Sequence, residues 1–210
     1  MEAVNPARRV THGRCRDRGA DAPRARQRLV PGSRWLSLAL VAALAVVRPH
    51  PALAAPTEQE VKAALIFNFT RFVEWPATAF GSPDASLVVA TVGQDEVSRV
   101  LEPMLLHKYV NGHPLEVRRV RTMDEARKCH VLYVASSEKK RVDAILKALR
   151  GTSTLTVAEI EHFAERGGHI NLVLEDQRVH VIVNLASAED CHLKISAKLL
   201  SLAQIVGSIQ

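Results

Sequence analysis

The sequence predicts an α/β fold: a single domain in which a mixed β-sheet of about six strands is flanked by helices. Short runs of Val, Ile and Leu, bounded by turn residues, alternate along the chain with segments whose apolar residues recur at helical spacing. Two of the runs, HINLVLE and RVHVIVN, are separated only by Asp176-Gln177, which makes them a hairpin and adds an antiparallel pair to the sheet. Charge sets the boundary of the domain. Ten arginines and three acids give residues 1–54 a net +7, whereas the remaining 18 bases and 19 acids nearly cancel. The overall +6 belongs to the leader, so a basic face for nucleic acid does not follow from it.

The leader reads as a secretory signal. Trp35 to Val47 is an uncharged apolar stretch, too short to span about 30 Å of hydrocarbon comfortably. Pro49 and Pro51 follow, and Ala52-Leu53-Ala54 before Ala55 supplies the small-residue pattern of a signal peptidase site, so cleavage is expected near Ala54. An uncleaved membrane anchor is the alternative. The stretch before about Val30 is Arg-rich and without pattern, as expected of a start codon assigned too far upstream. Residues 55–210 then form the domain, in the periplasm. A chain of that length buries about 68–70% of the surface its unfolded form exposes, enough for one core without staples.

Each element has its own reason. Thr57 and Glu60 form a capping box, and a helix continues through VKAALIFNFTRFVEW with Val61, Leu65, Phe69 and Phe72 on one face until Pro76 stops it. Residues 86–92 are a short buried strand. Asp95 caps a second helix with Val97, Val100, Leu101 and Met104 inward and a kink near Pro103. Asn111-Gly112 marks a turn, after which LEVRRV alternates as a half-buried strand does. His130 to Ala135 is a more apolar and hence central strand. Ser136 or Ser137 caps a helix with Val142, Ile145, Leu146 and Leu149 on one face, closed by Gly151. LTVAEI is a strand, Glu159 to Glu165 a short helix and Gly167-Gly168 a turn before the hairpin. The segment KISAKLLSLAQIV is expected to close the fold as a helix with Ile195, Leu199, Leu202 and Val206 on its stripe.

Motifs for catalysis are missing. No G-x-S-x-G elbow, P-loop or G-x-G-x-x-G occurs, and no C-x-x-C or H-x-x-x-H spacing suggests zinc in the domain. The seven histidines after residue 55 scatter through turns and element starts, as surface or capping residues do. Glu175-Asp176 at a hairpin tip is a solvated pair rather than an acid/base dyad. The domain is therefore read as no enzyme and as needing no cofactor or metal. Cys129 and Cys191 allow at most one disulfide; the alternative for Cys129 is a small buried hydrophobe beside VLYVA.

The first helix is the unusual feature. Phe67, Phe69, Phe72 and Trp75 cannot all face one core, so part of this aromatic set is expected at the surface beside Arg71 and Glu74, the composition of a protein-binding hot spot. The exposed hairpin charges Glu175 and Arg178 form a second expected contact. Partner-binding residues are thus Phe69, Arg71, Glu74, Trp75, Glu175 and Arg178.

Four blocks in order, KAALIFNFTRFVEWP, CHVLYVA, LTVAEIEHFAERGGHINLVLEDQRVHVIVNL and LKISAKLLSLAQ, resemble the YfiR-like family across about Val61 to Ala203. Asn68, Phe69, Phe72, Trp75 and Pro76 match its N-terminal signature, Cys129 its strand cysteine, Gly167 and Gly168 its turn, and Asn184 the end of its hairpin. The resemblance implies a non-enzymatic periplasmic regulator that binds the periplasmic domain of an inner-membrane GGDEF-type diguanylate cyclase and holds it inactive, lowering cyclic-di-GMP. Some members use further disulfides, and the two cysteines here leave redox control open, as they leave a homodimer. The competing readings are a periplasmic small-ligand-binding protein, taking its ligand at the strand ends, and a partner of a different membrane sensor.

Overall fold

A computed structural model describes residues 55–207 of the 210; the expected leader and the expected cleavage near Ala54 lie outside the described residues. The chain runs α1 (Glu58–Phe72), β1 (Val73–Glu74), β2 (Leu87–Val92), α2 (Glu96–Leu105), β3 (Tyr109–Val110), β4 (His113–Val120) and α3 (Met123–Ala126). It continues through β5 (Val131–Val134), α4 (Val142–Leu149), β6 (Leu155–Ala158), β7 (Ile170–Glu175), β8 (Arg178–Asn184), α5 (Leu185–Asp190), β9 (Lys194–Ile195), α6 (Ala197–Leu200) and β10 (Gln204–Val206). An eight-stranded sheet has the order β10-β8-β7-β6-β5-β2-β4-β3, and β1 pairs with β9 in a separate two-stranded ribbon. From β4 to β7 the strands are parallel; β8 turns back beside β7, and β10 runs parallel to β8.

The class is the expected one, with more strands. The additions β3 and β10 are two and three residues long and sit at the two edges, where short strands limit unwanted pairing. Central strands β2, β5 and β6 are buried at every position, so helices must cover both faces. Alternate residues divide between two cores: Val131 and Tyr133 pack with Ile66, Phe69 and Leu101 from α1 and α2, whereas Leu132 and Val134 pack with Ile145 and Leu149 of α4.

Five local expectations change. The buried stripe of α1 is Lys62, Ala63, Ile66, Phe69 and Thr70, about one position away from the expected face, because Lys62 is taken inward by Glu58 and Glu159. That helix ends at Phe72, before Pro76 can stop it, since Val73–Glu74 is drawn into pairing with Ile195 and Lys194. The expected closing helix is three pieces: Lys194–Ile195 answers β1, Ser196 caps the single turn α6, and Gln204–Val206 extends along β8, leaving Leu202 76% exposed. Glu159 to Glu165 is a string of turns, and residues 136–141 form a 3-10 turn in which Ser137 accepts the Gln94 amide instead of capping α4.

Candidate functional site

The Thr57–Glu60 capping box starts α1 as expected: the Glu60 amide donates to Thr57 Oγ1 at 3.3 Å and the Thr57 amide to Glu60 Oε2 at 2.7 Å. From there the helix lies against the sheet and runs opposite to the parallel strands. Its start adjoins the hairpin residues Gln177, Arg178 and Val179 at the carboxyl edge. At the amino edge, Ser196 donates its amide to the Phe72 carbonyl at 2.8 Å, tying the helix end to the chain before α6.

The aromatic residues then separate by role. Phe69 is completely buried in the core. It therefore cannot contact a partner and leaves the expected surface. Phe67 and Phe72 are half-buried, each under a lysine: Lys108 Nζ is 5.0 Å from one ring centroid and Lys198 Nζ 5.5 Å from the other. Trp75 and Phe80 fold over the amino edge. The Trp75 indole donates to the His130 carbonyl at 3.1 Å and meets the His130 ring edge-on at 6.1 Å. Phe80 is stacked between His113, at 4.3 Å, and His130, at 4.4 Å.

His130 is held neutral within this stack. Burial lowers its pKa, the neighbouring His113 acts in the same direction, and the nearby Ala79 carbonyl opposes them without completing a hydrogen bond to Nε2. Its Nδ1 accepts the Val88 amide at 3.0 Å. His169 repeats the device before β7, with Nδ1 accepting the Thr156 amide at 3.0 Å, and burial pushes its pKa down to about 4. Neither histidine is a surface or capping residue. Each replaces a ladder bond at the start of a strand, a role that becomes visible only when the neighbouring strand is known.

Of the expected contact residues, Arg71 and Glu74 are exposed and Trp75 is half-buried. Glu74 and Trp75 border a cleft of about 550 Å³ whose far wall is Glu189, His192 and Lys194. Glu175 and Arg178 are also exposed, directly opposite each other across a turn in which Asp176 and Gln177 take φ of 48° and 60°. The two sets are not brought together. They lie at opposite ends of α1, whose 15 residues span about 22 Å.

Both cysteines are free and buried. Cys129 packs with the α4 face of the sheet and Cys191 with the α1 face, so the disulfide is replaced by two separate core thiols. Burial raises both pKa values, that of Cys129 to about 11, which makes them poor nucleophiles and poor redox sensors.

The ligand crevice expected of this topology is filled by the protein itself. Strand β2 is flanked by β4 and β5, which places the switch point at the carboxyl ends of β2 and β5. There Asp95 Oδ2 accepts the Tyr133 hydroxyl at 2.8 Å and the Ser136 amide at 3.0 Å, while Ser137 Oγ accepts the Gln94 amide at 2.9 Å. No metal-binding group of three His, Cys, Asp or Glu side chains occurs among the described residues.

A family model described as YfiR/HmsC-like matches residues 59–204. The chain belongs to the YfiR/HmsC-like family. YfiR-like proteins are periplasmic regulators without a catalytic role, and no helix among the described residues here is long and apolar enough to cross a membrane. The chain is similar to a conserved domain protein from Vibrio cholerae O1 biovar eltor, with a TM-score of 0.51 and 12% identity. That similarity covers 71% of this chain and 60% of the Vibrio chain, and it concerns the fold alone. No curated protein matches the sequence.

Much of the YfiR-like signature is architectural. Phe69 fills the core, and Asn184 caps α5 through Ser187 while donating to the Ala164 carbonyl at 2.8 Å. A Cβ on Gly168 would stand 2.2 Å from the Phe163 ring. Trp75 and Pro76 are the signature residues that line the Glu189–Lys194 cleft.

Proposed function

We propose that this YfiR-like protein is a periplasmic inhibitor of an inner-membrane diguanylate cyclase and acts by binding the cyclase's periplasmic domain. The family match over residues 59–204 carries this reading. The surface that supports it is the shelf of Arg71, Glu74 and Trp75, in which an anchored indole stands among exposed charges beside a cleft. Inhibition requires only that this surface binds the cyclase's inactive state more tightly than its active one. Residues 1–54 serve export and are removed near Ala54. The filled crevice at the β2 and β5 ends disfavours the small-ligand reading at that place.

Cellular cyclic-di-GMP in a strain lacking the gene, its parent and a complemented strain tests the proposal. A rise reversed by the gene is expected. An unchanged level in all three strains overturns cyclase repression.

A further inference from the structure

Beside the filled crevice, a small cleft opens at the carboxyl edge of the sheet. It is a cleft of about 280 Å³ where β2 and β4 end, and its lining includes Gly93, Gln94, Arg119, Arg121, Glu138 and Arg141. Three arginines thus line one small space. Arg141 is engaged by Glu138 at 2.9 Å, but Arg119 and Arg121 make no ion pair among the described residues. Glu125 stands close to Arg121, yet its carboxylate caps α3 by accepting the Arg121 and Thr122 amides. The lining therefore carries a net charge of two positives.

The wall behind the arginines is fixed. Gly93 has φ +80°, and a Cβ there would lie 2.5 Å from Ser137 Oγ and 2.7 Å from Glu138 Cγ, so the loop after β2 packs directly on the turn that carries Arg141. Guanidinium groups bind tetrahedral oxyanions through paired N–H donors, a geometry that an ammonium cannot copy. The volume suits one phosphoryl group and is smaller than the usual pocket of a drug-sized molecule.

The geometry points to an oxyanion site in which Arg119 and Arg121, with Arg141 behind them, bind a phosphoryl group, whether free or displayed as a phospholipid headgroup. This site lies at the opposite sheet edge from Trp75 and is independent of the regulatory reading.

The test is calorimetric titration of the purified protein with inorganic phosphate at low salt, together with co-sedimentation on phosphatidylglycerol and phosphatidylcholine vesicles. The same measurements are made on Arg119→Ala/Arg121→Ala and, as a control for general basic charge, on Lys139→Ala/Lys140→Ala. Both arginines are exposed, so the melting temperature of the arginine variant is expected to match the parent. Phosphate affinity falling by at least about tenfold in the arginine variant alone supports a site for the free ion. Sedimentation with phosphatidylglycerol but not phosphatidylcholine, lost in the arginine variant alone and without phosphate binding, assigns the headgroup. Absence of both interactions, or equal loss in the lysine control, overturns the site.

Discussion

The indole of Trp75 and the carbonyl of His130 are joined by a 3.1 Å hydrogen bond across 55 residues of sequence. That bond fixes the segment between α1 and β2 to the start of the central strand β5, and it gives the proposed contact surface a rigid side chain. Trp75 is therefore structural and half-exposed at once, and substitutions there must be read for stability as well as for binding.

Trp75→Phe keeps the ring and removes the donor, so a loss of about 0.5–1.5 kcal/mol is expected in urea unfolding. Trp75→Ala also empties the space over His130 and is expected to cost about 2–4 kcal/mol. A neutral Trp75→Ala would show that the ring does not anchor the segment.

The charges at the two ends of α1 separate the two proposed contacts. Glu74→Lys is expected to weaken cyclase inhibition, and the hairpin change Glu175→Lys to leave it intact, because the hairpin offers no anchored aromatic body. Binding of the purified cyclase domain to each variant provides the measurement. Sensitivity confined to Glu175 would move the interface to the carboxyl edge.

His169 makes stability depend on pH. Its folded pKa of about 4 lies below the ordinary value of 6.5, so the unfolded chain binds the extra proton first. The contribution is complete above about pH 6.5 and fades as the pH falls toward the folded value, by about 2 kcal/mol between about pH 7 and about pH 5. His130, shifted in the same direction, adds to the loss. His169→Asn, which retains an acceptor for Thr156, is expected to flatten this dependence in unfolding curves at the two pH values. An unchanged slope would place the titration elsewhere.

Lys62 is 1% exposed and bonded to Glu58 and Glu159. Burial alone lowers its pKa, but the hydrogen bonds and charges of the two carboxylates outweigh burial and leave it raised. Glu159→Ala leaves a buried ammonium with one partner and is expected to cost about 1–3 kcal/mol, more than Lys62→Met, which packs the same space without a charge. Thermal unfolding of both variants checks the order. A costlier Lys62→Met would make the ion pairs themselves stabilising.

Gly168→Ala is expected to destabilise by about 1–3 kcal/mol or more, because the new methyl meets the Phe163 ring at 2.2 Å in the core behind α4. Gly167→Ala meets open space but must hold φ +97°, a backbone cost of about 1 kcal/mol. A denaturant series on the pair separates clash from strain.

The elements that the sequence makes legible are those whose cause is local. Thr57 and Glu60, Asp95, Asn111-Gly112 and the Asp176-Gln177 turn each carry their instruction within four residues, and all four appear where expected. The apolar strands follow from composition alone, since a run buried on both faces tolerates little else. The family blocks were equally readable, because order along the chain survives without knowledge of distance.

Features that depend on a remote partner follow from the fold and not from local pattern. Lys62 turns inward because Glu159 lies across from it, which rotates the buried face of α1. The closing segment abandons its helical periodicity because β1 and β8 offer unpaired backbone edges, and ladder bonds to them replace those of a helix. Cys129 and Cys191 stay apart because they pack into different core clusters. The hairpin and Trp75 are distant because α1 lies between their ends. Layers and family are written in local patterns and their order along the chain; burial, pairing and the grouping of surface residues arise from contacts between residues far apart in the chain, which local patterns do not encode.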